Sequence, residues 1–117
     1  MSNSPNQQLA CLRDLLKKGF YQENLDQLVA CCSGLAQDSS YVLPFFVLKN
    51  LFAEMSSLLE LGPTPPSQHT DLVSDLAEPI DLMLEKIANN QDISFADLDL
   101  IVRTHLRNAS VFRSGQP

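Results

Sequence analysis

A chain of 117 residues and 13.0 kDa is one domain's worth of protein, long enough to bury roughly 65% of its unfolded surface in a core without staples. Its 44% hydrophobic and 19% charged residues exclude disorder as the state of the whole chain. Fourteen acids against eight bases, a net charge of -6 and a pI near 4.6 argue against a nucleic-acid surface, which needs Lys and Arg to neutralise phosphates.

Leucine is the commonest residue and β-branched residues are comparatively few, which favours helices over strands. The first predicted helix, 5–18, opens with Pro5 at its first position and carries Leu9, Leu12, Leu15 and Leu16 as an apolar stripe. Lys17 and Lys18 complement the dipole, Gly19 stops the helix, and Phe20 stands where a capping hydrophobic contact belongs. A second helix over 21–35 places Tyr21, Leu25, Leu28, Cys32 and Leu35 at alternating spacings of four and three, with Gly34 at its fraying end. The third, 43–61, takes Pro44 into its first turn and aligns Phe45, Leu48, Phe52, Met55 and Leu59. Val47, Leu51 and Leu58 widen that seam, as in a helix packed on two or more neighbours.

Residues 62–69, with three prolines, predict a stiff non-helical connector, because proline removes backbone donors and favours extended geometry. A fourth helix, 70–90, carries Leu72, Leu76, Ile80, Met83 and Ile87, and Pro79 inside it predicts a kink or two short helices. A fifth, 94–108, begins with a capping box of Ser94 and Asp97 and continues through Leu98, Ile101, Val102 and Leu106. Arg103, His105 and Arg107 suit the end of that helix, and 109–117 reads as a loose tail. Period-two alternation, hairpin dipeptides and internal repeats are all missing, so the expected fold is all-α: one compact domain over 1–117, a bundle of about five helices.

Chemistry finds little to stand on. Cys11, Cys31 and Cys32 are an odd set with two adjacent, and a vicinal disulfide is strained, so they read as reduced thiols of a cytoplasmic protein, Cys32 in the core and Cys31 partly accessible. The start MSNSPNQQL has neither the basic nor the apolar region of a secretory signal. The longest apolar run, Tyr41 to Leu48, is far shorter than the ~20 residues a membrane span requires. Aligning Ile93 with the centre of a calcium-binding loop puts Lys86 in the first ligand position and Gln91 where glycine is needed, so no calcium site is expected. The three cysteines, His69 and His105 show no paired metal-ligand spacing, and the isolated glycines form no phosphate loop. The expectation is a protein without catalysis, metal or cofactor.

Two surface features remain. Between Asp71 and Asp99 eight acids face one base, Lys86, for a formal charge of -7; the face with Asp71, Asp75, Glu78, Asp81 and Glu85 is either a solvated surface or a dock for a basic partner. The run Tyr41-Val42-Leu43-Pro44-Phe45-Phe46-Val47-Leu48 must point apolar side chains all around its helix, leaving Tyr41, Val42 or Phe46 as a candidate anchor for a partner. The stretch from Tyr41 through Lys49, Asn50, Leu51 and Phe52 resembles a segment of small, all-helical accessory proteins of cyanobacteria that help other complexes assemble. That resemblance implies an assembly or regulatory helper, for a photosynthetic or carbon-fixing structure, and assigns no functional residue. The expected function is a protein-binding adaptor acting through the apolar patch and the acidic face. The alternative is a helical regulator that takes a small ligand or a metal between its helices.

Overall fold

The computed structural model describes residues 5–61 and 66–114, and for residues 5, 59, 61, 66–74 and 111–114 it describes only the helical course of the chain. Five helices follow one another, α1 (Pro5–Lys18), α2 (Gln22–Asp38), α3 (Val42–Leu61), α4 (Pro66–Ala88) and α5 (Phe95–Ser114), with no strand among the described residues. They close a ring: α1 packs on α2, α2 on α3, α3 on α5, α5 on α4, and α4 returns to α1. The apolar stripes are wide enough to touch two neighbours each, and together they enclose one core. Leu12, Leu25, Leu28, Phe45, Phe52, Leu76, Ile80 and Ile101 lie fully inside it.

The α1–α2 junction follows from three residues. Gly19 adopts φ +106°, open to glycine at no steric cost, and ends α1. Phe20 then turns into the core and its ring meets that of Phe52, centroids 5.9 Å apart. Asn24, buried on α2, donates from Nδ2 to the carbonyl of Leu15 at 2.7 Å and to that of Gly19, answering acceptors that the end of α1 leaves open. Since Phe20 and Asn24 occupy the interior here, Tyr21 caps α2 at the surface rather than joining its buried stripe. The helix also runs past Gly34 to Asp38, and the Ser39 N–H closes it on the Leu35 carbonyl at 2.8 Å.

The C-terminal half departs further from expectation. Pro66 opens α4, a position that wants no N–H, so 66–69 is helix rather than connector, and 62–65 fall outside the described residues. The helix then continues through Pro79 as a single element. It ends on Asn90 at φ 58°, with the N–H of Gln91 reaching the Lys86 carbonyl at 2.9 Å and that of Asn90 reaching Ile87 at 3.0 Å, a Schellman motif. The Ser94–Asp97 capping box forms as expected: the Ser94 N–H reaches Asp97 Oδ2 at 3.0 Å, and Ser94 Oγ accepts from the Asp97 N–H at 3.2 Å. Beyond it α5 reaches Ser114, because Thr104, His105, Asn108 and Ala109 extend the stripe of Leu98 and Ile101 into the core. Leu106 consequently faces solvent, and what read as the start of a loose tail is helix up to residue 114. The side chains of Leu59, His69 and Leu72 lie outside the described residues.

Candidate functional site

The first turns of α3 carry an apolar patch. Phe45, Leu48, Phe52 and Met55 turn inward, and Phe46 stands ~100° around the helix from Phe45, half exposed. Val42, Leu43 and Phe46 are 54%, 59% and 50% exposed. They adjoin by helical spacing, Val42 and Phe46 four apart and Leu43 and Phe46 three apart. Exposed Asn50 and Ala53 continue the same side of the helix toward its C-terminus. Covering the exposed parts of the three apolar side chains is worth on the order of 1 kcal/mol each.

Tyr41 does not belong to this patch. Half-buried and packed on the core, it donates its hydroxyl to the Gln91 carbonyl at 3.0 Å, which ties the start of α3 to the α4–α5 loop. The phenol therefore fastens two segments of the fold to each other.

The acidic face divides in two. Asp81 pairs with Arg13 of α1 at 3.1 Å, and Asp75 lies 3.7 Å from Arg107 of α5. Lys86 holds both oxygens of Asp97, at 2.9 and 3.1 Å, and Asp99 pairs with Arg103 at 2.9 Å. Four of the eight acids are thus answered within the chain, whereas Glu78 and Glu85 stand exposed with no ion pair among the described residues. The side chain of Asp71 is outside the described residues. Glu78 and Glu85 flank Leu82 at spacings of four and three, so the bare charges surround an apolar residue that is 53% exposed.

Leu82 also borders a groove of about 430 Å³ between α4 and α5, with Leu100 on its other helix and Pro79, Met83, Lys86 and Asp97 among its walls. Neither Leu82 nor Leu100 was singled out by sequence reasoning, although Leu82 falls off the core stripe of Leu76, Ile80, Met83 and Ile87, a visible signal. No packing of α3 on α4 appears among the described residues, and the patch of Val42, Leu43 and Phe46 and the charges of Glu78 and Glu85 lie on these two different helices.

The remaining reactive groups are few. His105 is not a terminal charge for the helix dipole but a buried residue of mid-α5, its side chain 7% exposed and Nε2 3.1 Å from Glu54 Oε1 without the alignment of a hydrogen bond. All three cysteines are free thiols, Cys32 buried, Cys31 intermediate and Cys11 exposed. No group of three or more metal-ligating side chains gathers among the described residues, and no described helix is long and apolar enough to cross a membrane. Comparison with protein-family models, curated proteins and solved structures finds no match to this chain.

Proposed function

We propose that the protein is a non-enzymatic adaptor, an assembly or regulatory accessory factor that binds another protein through the first turns of α3. The supporting observation is the cluster of Val42, Leu43 and Phe46, three large apolar side chains adjacent on one helix and each at least half exposed, on a helix that buries Phe45, Leu48, Leu51, Phe52, Met55 and Leu58. Adjacent apolar side chains bordered by polar positions give a partner both a desolvated centre and a rim. In this reading the partner is a protein with a complementary apolar surface, no nucleic acid is bound, and the work is done in the cytoplasm with reduced cysteines.

The test uses the full chain as bait. Phe46→Asp places a charge on a surface position, so the melting curve stays unchanged while capture of a partner from a lysate is lost. Equal capture by the wild type and the variant would remove the patch from function.

A second reading, a regulator that takes a small ligand, draws support from the α4–α5 groove of about 430 Å³. A ligand there raises the melting temperature in the absence of any protein partner, which an adaptor does not require.

A further inference from the structure

On the seam between α1 and α2 the two helices come close. Gln8 of α1 meets α2 at three successive turns: its carbonyl accepts from the Cys31 thiol at 3.3 Å, a Cβ added at Gly34 would lie 3.0 Å from its amide oxygen, and its Nε2 donates to Asp38 Oδ2 at 3.0 Å. A helical side chain leans toward its own N-terminus, so Cys11 covers the turn that begins at Gln8. The Cys31 sulfur, held on the Gln8 carbonyl, therefore lies at the turn that Cys11 covers, which places the two thiols on the same stretch of the seam. Cys11 is exposed, Cys31 is half-buried, and Cys32 points into the core.

We propose that Cys11 and Cys31 form a peroxide-sensitive thiol pair that closes into a disulfide joining α1 to α2. The two thiols have unequal roles. Burial, with the neighbouring Cys11 adding, pushes the Cys31 thiol up to about 11, so it stays protonated at neutral pH. Cys11, open to solvent, is the group that an oxidant reaches. Its thiolate attacks a hydroperoxide, the O–O bond breaks, and the products are a sulfenic acid on Cys11 and hydroxide or alkoxide. Cys31 then displaces the sulfenic oxygen: the S–S bond forms, the S–O bond breaks, and the Cys31 proton leaves with the oxygen as water. Two electrons pass to the peroxide and none are left over. Cys32, whose thiol burial and the nearby Cys31 push up further still, takes no part.

The experiment begins with fully reduced protein in dilute solution. It is treated with hydrogen peroxide, then alkylated, and digested with trypsin, which places Cys11 on the peptide 1–13 and Cys31 with Cys32 on 19–49. The expected result is a linked pair of these peptides, reversed by dithiothreitol, with the alkyl label on Cys32 alone and a linking rate independent of protein concentration. Cys31→Ser, checked for its helical spectrum, should abolish the link and let Cys11 proceed to sulfinic acid. Sulfinic acid on Cys11 of the wild type with Cys31 still alkylated, a link to Cys32, or a disulfide between the Cys11 residues of two copies would each overturn the proposal. Tightening of the α1–α2 seam would also appear as a rise in melting temperature on oxidation, absent in Cys11→Ser.

Discussion

Asn24 shows how much a single polar side chain decides in this fold. It is buried, yet both protons of its amide are spent on carbonyls at the end of α1, those of Leu15 and Gly19. Truncation removes the donors and leaves two acceptors facing a core that admits little water. Asn24→Ala should therefore lower the free energy of unfolding by about 1–3 kcal/mol, the range for a buried polar group left without its partner. Urea denaturation provides the measurement, and a loss no larger than for an exposed residue would mean that water enters to replace the amide. Tyr41 belongs to the same class of residue. Its sequence setting, among consecutive hydrophobics, suggests an anchor, but a hydroxyl bonded to the Gln91 carbonyl makes it a fastener between elements. Residue type alone does not distinguish these roles, because each partner lies on a segment remote in sequence or on a neighbouring helix end.

Among the elements, the start of α5 combines a cap with an ion pair. Hydrogen bonds from Lys86 hold the Asp97 carboxyl below its ordinary value of 3.8, and the Ser94 N–H adds to the effect. An acid whose folded-state pKa is depressed contributes stability that is fully present above the unfolded value and lost as the pH falls through the folded one. Asp97→Asn should thus lower the melting temperature at pH 7, and the difference from wild type should shrink at a pH well below 3.8; a difference that persists in acid would assign the effect to packing instead. The capping box was legible because it is local, four residues with fixed spacing. So were α1, the core stripe of α3 and the stop at Gly19, each set by periodicity or by one backbone preference. Less legible were the boundaries that tertiary packing sets. Pro66 and Pro79 read as breakers, yet one starts α4 and the other lies within it, since the apolar stripe of Leu76, Ile80, Met83 and Ile87 outweighs one missing hydrogen bond. Similarly, α5 extends beyond residue 108 because Asn108 and Ala109 find a place in the core, which periodicity of strong hydrophobics does not register.

At the scale of the whole molecule, ring closure determines which charges remain available. The sequence places eight acids against one base between Asp71 and Asp99, but the ring brings α4 beside both α1 and α5, and these supply Arg13 to Asp81 and Arg107 to Asp75. Cross-helix pairing of this kind is invisible to charge counting along the chain, which is why Asp75 and Asp81 looked like equals of Glu78 and Glu85. Exposed pairs of this type add little stability, in the range of about 0–1 kcal/mol. They do cancel the field that a basic partner would sense. Attraction at a distance therefore falls to acids with no ion pair among the described residues, which on α4 are Glu78 and Glu85, two turns apart around Leu82. If a captured partner is basic, reversing both to lysine should slow its association by about tenfold at low salt, with the melting temperature unchanged because neither side chain has an ion pair among the described residues. Salt should erase the difference, since exposed charges are screened beyond ~8 Å at physiological ionic strength. Reversing Asp75 and Asp81 instead should cost stability through repulsion with Arg107 and Arg13, so the two double variants separate a folding effect from a steering effect. Association kinetics at low and high salt make the comparison, and a rate indifferent to both salt and the Glu78 and Glu85 reversals would leave the acids of α4 a solubilising role only.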